Sequence, residues 1–252
     1  MVRPRLDSPP PGSAELNDEF WFRVCGKPNP TTRERFLYLT IEEFGRLGPG
    51  RFSHVEVVQK LGYTMAMINH YFGSRRGLIS EAAAVVYDMY VEAVRRGIVE
   101  ANPTPADRLR GWMNAQIQFA FERPGWAVVH NYPDLVLEDP GEFESEYRAR
   151  MTQGFEVNLG RLAQLILDVK SGTVTRPEVN PENFDRSGYM ANHELVELTA
   201  SVAMSTLGAG VWGAGSHAPS RATKEAVALR DHVIEKHLET VIRAITSSTV
   251  GA

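Results

Sequence analysis

The sequence predicts an all-α protein in two parts, a small head of short helices followed by a larger body of longer ones. Three observations carry this. Apolar residues recur at spacings of three and four along most of the chain, which lays them on one face of a helix. Ser, Thr and Asp repeatedly precede such stretches and Gly or Pro follows them, the residue types that start and stop helices. No alternating strand pattern and no internal repeat stands out.

From residue 1 to 30 the chain is Pro-rich, with Pro9-Pro10-Pro11-Gly12 and Lys27-Pro28-Asn29-Pro30 around Phe20, Trp21 and Phe22. The prolines argue against a continuous helix, so this reads as a partly disordered extension whose aromatic middle docks. Thr31-Thr32-Arg33-Glu34 has capping-box spacing, and Phe36, Leu37, Thr40, Ile41 and Phe44 then share a face until Gly48-Pro49-Gly50. A second box, Ser53-His54-Val55-Glu56, opens a helix that turns Val57, Val58 and Leu61 inward and ends at Gly62. Thr64 and Ser74 are the expected caps of the next two helices.

The helix after Ser74 is long, with Leu78, Ile79, Ala82, Val86, Met89, Tyr90 and Ala93 as its stripe, and Asn102-Pro103-Thr104-Pro105 breaks it. Thr104 and Pro105 supply cap and first position for a helix that aligns Leu109, Trp112, Met113, Gln116 and Ala120 and stops at Pro124-Gly125. A shorter piece is expected over residues 126–130. Asp139-Pro140-Gly141-Glu142 starts another helix, carrying Phe143, Tyr147, Met151 and Phe155 at i, i+4 spacing and continuing to Ser171-Gly172. A polar loop to Gly188 and two last helices, about 190–207 and 223–245, complete the chain.

With 252 residues, 43% of them hydrophobic, the chain can bury a core without staples. Cys25 has no partner for an internal disulfide. No run of about 18 apolar residues is evident, and residues 1–12 lack the apolar stretch of a secretory signal, so a cytoplasmic protein without membrane contact is expected. Residues 31–78 hold seven cations (Arg33, Arg35, Arg46, Arg51, Lys60, Arg75, Arg76) against four glutamates, a net +3. The chain as a whole carries −4, which leaves −7 elsewhere. A locally basic head on an acidic body suits contact with DNA at one end.

A helix-turn-helix needs one helix propped on the nucleic-acid backbone and a second, offered by a tight turn, whose first residues reach base edges. Residues 53–71 have that form. Arg33-Glu34-Arg35, Glu43-Phe44, Leu61-Gly62 and above all His70-Tyr71-Phe72-Gly73-Ser74-Arg75-Arg76-Gly77-Leu78 resemble the DNA-binding domain of the TetR family of transcriptional regulators. The resemblance covers residues 31–78 and implies a three-helix helix-turn-helix DNA-binding domain there. It also implies a helical effector-binding and dimerisation domain over residues 79–252. Carried over by position, it puts Thr64, Met65, Ala66, Met67, Asn69 and His70 in the DNA-facing set. Ser53, His54, Tyr71 and Arg75 match positions that touch phosphate. The amide of Asn69 suits adenine, and Met65 and Met67 suit thymine methyls. This chain has Asn69 where the family usually has an aromatic residue, Met65 where Lys or a polar residue is frequent, and Tyr63 where Val is usual, which points to an unusual operator.

Other signals carry less. Gly208-Ala209-Gly210-Val211-Trp212-Gly213 satisfies the dinucleotide fingerprint but follows no strand, so it reads as a helix end and loop. His193 with Glu197 and His232 with Glu235 have helical spacing but no further ligands, and solvated faces explain them, so neither metal nor cofactor is expected. No nucleophile motif suggests an enzyme. Trp112, Met113, Gln116, Phe119, His130, Asn131, Tyr132, Met151 and Phe155 are candidates to line an effector pocket, apolar with a few polar groups. Leu195, Leu198 and Val202, with Val227, Ile234, Val241 and Ile245, form paired stripes that fit a homodimer through the last two helices. The expected function is a ligand-responsive regulator, a repressor that leaves operator DNA when it binds a small apolar or amphipathic effector. The alternative is a helical small-molecule-binding protein or enzyme that does not use its helix-turn-helix on DNA.

Overall fold

The computed structural model describes residues 16–48, 51–129, 142–175, 186–216 and 223–247. Among them are eleven α-helices and no strand. They are α1 (Asp18–Cys25), α2 (Thr32–Leu47), α3 (His54–Leu61), α4 (Met65–Phe72), α5 (Arg75–Glu100), α6 (Pro105–Glu122), α7 (Pro124–Val129), α8 (Glu142–Ser171), α9 (Arg186–Ala191), α10 (His193–Ser216) and α11 (Lys224–Ser247). The fold is thus all-α, with an N-terminal helix-turn-helix and a helical C-terminal part. Two compact units divide it, one from the described residues of 1–86 and 128–149, the other from those of 87–127 and 150–252.

In the first unit, α2 is the organiser. Its capping box forms as expected: the Thr31 N–H donates to Glu34 at 2.8 Å and the Glu34 N–H donates back to the Thr31 hydroxyl at 3.4 Å. A hydrogen bond from Lys27, then those from Thr31, hold the Glu34 carboxyl down to about 2. Phe36, Leu37, Thr40, Ile41 and Phe44 are all buried, and so is Leu39, so the buried arc is wider than one stripe. Part of the reason is α1, which sequence reasoning left inside an irregular extension. Asn17 caps it, accepting from the Phe20 N–H at 2.9 Å, and Trp21 and Val24 are buried as it packs on α2. The Arg35 guanidinium lies 5.8 Å from the Trp21 ring, and Arg23 pairs with Glu42 at 3.4 Å.

The second unit is built around α6, which packs most extensively on α10 and also meets α11. All five residues of its predicted stripe, Leu109, Trp112, Met113, Gln116 and Ala120, are buried. The polar ones are satisfied by neighbouring helices. Trp112 Nε1 donates to Asn158 on α8 at 3.0 Å, and the Asn158 amide donates to the Tyr90 hydroxyl on α5 at 3.0 Å. Tyr90 donates to Gln116 at 2.8 Å, whose amide donates to the Ala203 carbonyl on α10 at 3.2 Å. Where α5 passes α6, a Cβ on Gly111 would stand 2.2 Å from the Gly97 carbonyl oxygen, so backbone meets backbone with no side chain between.

Several expectations change. Helix α9 begins at Arg186, inside the stretch read as a loop, and buried Tyr189 anchors it. Helix α10 runs on to Ser216, so Gly208, Gly210 and Gly213 lie within a helix rather than at its end; Gly210 approaches Ile117 and Ala120 on α6. Phe155 is 55% exposed although Met151, one turn earlier, is buried. The run 193–214 is long and apolar enough by length and composition to cross a membrane, contrary to the expectation that no such run exists, although only 22% of its most apolar window is buried within the chain. The expected Asp139 cap lies outside the described residues.

Trp21→Ala is expected to lower the stability of the first unit by about 3–5 kcal/mol, the usual loss for a buried aromatic. Chemical denaturation followed by circular dichroism checks this; an unchanged midpoint would return α1 to the status of a docked tail.

Candidate nucleic-acid interface

The interface begins with a turn. Gly62 adopts φ 72°, its N–H bonding back to Val58 and Gln59, and this reverses the chain between α3 and α4. Tyr63, in that turn, lies 3.3 Å from the Thr32 hydroxyl through its own and 5.5 Å from the Phe36 ring, so the turn is braced on α2. Sequence reasoning marked Tyr63 as unusual and missed this brace; an aromatic residue next to the turn glycine was the available signal. Thr64 occupies the N-cap position of α4 in extended conformation but makes no side-chain capping bond, a departure from the expected cap.

Helix α4 is two-sided. Ile68 and Phe72, four residues apart, are buried to 1% exposure or less. Thr64, Met65, Ala66, Asn69 and His70 are exposed, and Met67 and Tyr71 are half-buried. The His70 ring stands edge-on to Tyr71 at 4.8 Å. Met65 is 38% exposed, which separates it from a core methionine. The helix ends at Gly73, and the Ser74 hydroxyl caps α5 by accepting from the Gly77 N–H at 2.9 Å. A Cβ on Gly77 would fall 2.0 Å from the Phe72 carbonyl oxygen, so the tight step from α4 into α5 requires glycine there.

Of the residues matched to phosphate contact, Ser53, His54 and Arg75 lie at helix starts, whereas half-buried Tyr71 lies in the last turn of α4. Ser53 caps α3, its hydroxyl accepting from the Glu56 N–H at 3.4 Å, and His54 follows. Arg75 is the first residue of α5 and is exposed. Burial first, and the charge of Arg75 second, push the His54 imidazole below its ordinary value, which puts the two side chains in one electrostatic neighbourhood. Other cations of the basic head are engaged. Lys60 and Arg46 both pair with Glu43, at 2.8 and 2.7 Å. Burial opposes ionisation of Glu43, but these two partners outweigh it and lower its pKa. Arg33 pairs with Glu81 at 2.6 Å and lies 5.0 Å from the Phe72 ring.

In the second unit, Trp112, Met113, Gln116, Phe119 and Met151 are buried, Phe155 faces outward, and His130, Asn131 and Tyr132 lie outside the described residues. A recess of about 440 Å³ opens beside the Gly97–Gly111 crossing, bordered by Arg96, Glu100, Asn102, Arg110, Gln118 and Phe119. Of the effector candidates, Phe119 borders it. Among the described residues no group of three His, Cys, Asp or Glu converges as a metal site would require.

No family model matches the chain. The HTH-type transcriptional regulator BetI of Stenotrophomonas maltophilia is similar to it, 28% identical over 115 residues that cover 42% of this chain. The match spans 59% of that relative's own length.

The lowered His54 pKa has a definite sign. The fold favours the neutral imidazole, so its contribution to stability is full above the ordinary histidine value and is lost as pH falls from there through the lowered value of the folded state. Arg75→Ala is expected to move the His54 midpoint upward yet leave it below that of an exposed histidine, because burial is the larger cause. NMR titration of the imidazole checks both halves.

Proposed function

We propose that this protein is a transcriptional regulator that binds double-stranded operator DNA, with α4 in the major groove and the starts of α3 and α5 on the phosphates. One observation carries the reading: α4 locks Ile68 and Phe72 inside while it offers Met65, Ala66, Asn69 and His70 outward beside a tight turn. The likeness to an HTH-type transcriptional regulator supports the same class of function. The resemblance of residues 70–78 to the TetR family supports the finer reading, a cytoplasmic repressor that blocks its operator sterically.

Helices α10 and α11 support a homodimer. The stripe expected at the dimer seam is largely used within the chain, where Leu195, Val202, Ile234 and Ile245 are buried; it is Met204, Trp212, Leu229 and Val233 that stand exposed on these helices, with Met204 at 67% and Leu229 at 60%. A second copy would cover these side chains in a four-helix interface and explain why so apolar a run as 193–214 is so little buried by its own chain. Two heads carried by one dimer would then enter successive major grooves, about 34–36 Å apart.

A small apolar or amphipathic effector that binds among the buried Trp112, Met113, Gln116, Phe119 and Met151 would have to open space there, and the Tyr90–Gln116 bond would give an incoming carbonyl or hydroxyl group a partner to exchange with. Such a ligand releases DNA only through unequal affinity for two conformations.

Two measurements test this reading. Fluorescence anisotropy with duplexes selected from a random pool should give binding that weakens steeply with salt. Arg75→Ala should lower the log–log salt slope by about one for each phosphate that the guanidinium neutralises. No salt-dependent binding to any duplex would sink the regulator reading. In sedimentation, the wild-type chain is expected to run as a dimer and Leu229→Glu with Trp212→Glu as a monomer; a monomeric wild type would refute the dimer.

A further inference from the structure

Resting on the regulator reading, the surface of α4 says how an operator would be read. From Thr64 to Gly73 the chain has no Lys or Arg, the side chains that most often read guanine through its O6 and N7. The positions facing outward in the first turn, where a recognition helix meets base edges, are Met65 and Ala66, a thioether chain and a methyl group. One turn on, Asn69 is exposed and aligned with Met65 at i+4. Its amide has a donor and an acceptor side by side, the complement of adenine N7 and N6. His70 lies nearer the helix end with its ring edge-on to Tyr71, which suits a position beside the backbone rather than over a base.

Thymine alone among the four bases presents a methyl group in the major groove, so an apolar first turn selects for it. We propose that α4 reads its operator through thymine methyls packed against Met65 and Ala66 and an adjacent adenine held by Asn69. The half-site under the first two turns of α4 is therefore A·T-rich. Discrimination there comes from apolar burial and one bidentate amide, and charge supplies only attachment. The engagement of Lys60 and Arg46 with Glu43 fits this division, since neither is left at the reading surface as an uncommitted cation.

The test uses the full chain and duplexes selected from a random pool. Each selected duplex is remade with deoxyuridine in place of thymidine, which keeps every base pair and removes only the C5 methyls. Affinity should fall roughly three- to fivefold for each methyl that the helix covers, the usual worth of one buried methyl-sized group. The salt slope should stay unchanged because the phosphates and their cationic partners are the same in both duplexes. In Met65→Ala the penalty for uracil should shrink, and 7-deazaadenine at the adenine position should weaken wild type but not Asn69→Ala. Met65 is exposed, so its variant is expected to fold; should it not, the uracil duplex against wild type decides alone. Selection of G·C-rich half-sites, or equal affinity for thymine and uracil duplexes, would overturn this inference while leaving the regulator reading intact. Loss of all salt-dependent binding would overturn both.

Discussion

The first unit depends on one guanidinium. Arg33, at the start of α2, donates to the Glu81 carboxylate on α5 and lies over the Phe72 ring at the end of α4. Tyr147 on α8 hydrogen-bonds to the same pair; burial, then its bond with Glu81, raises the Tyr147 pKa. Glu81 is 8% exposed, so its charge is tolerable only with a partner in place. One ion pair thereby ties the first turn of α2 to the last turn of α4 and the second turn of α5.

Much of this architecture was legible in the chain because helix ends are local chemistry. The box at Thr31, the cap at Ser74, the Thr104-Pro105 start and the stop at Gly172 involve residues within a turn of one another and form as read, while the box expected at Ser53 is realised as a simple cap, its hydroxyl accepting from the Glu56 N–H. What failed to show was tertiary. Helix α1 contains eight residues and buries two, Trp21 and Val24, too few for a periodic signal between flanking prolines. Helix α10 continues through its glycines with α6 against Gly210 and Gly213, and no local rule reports a neighbour. Phe155 fits the i, i+4 pattern yet faces outward, since a period names a stripe without saying how much of it is covered. At the candidate interface the residue types were legible, whereas the separation of exposed Met65 from half-buried Met67 depended on how α4 sits on the unit's core.

The core of the second unit mixes two kinds of constraint. Aliphatic packing by Leu109, Ile117, Leu162, Leu165 and Ile166 supplies burial without direction. The chain of bonds from Trp112 through Asn158, Tyr90 and Gln116 to Ala203 supplies direction, since each group accepts a single arrangement of its neighbours across α5, α6, α8 and α10. A network satisfied from end to end in this way resists casual rearrangement.

On the DNA-binding reading, the pairing of Lys60 and Arg46 with Glu43, and of Arg33 with Glu81, would have a kinetic meaning. At least three of the seven cations that make the head basic are committed to holding it together. On the DNA-binding reading, its grip on arbitrary duplex is correspondingly light and its residence on wrong sequences brief. Such a head would search by frequent release and return, and would linger only where the bases themselves fit.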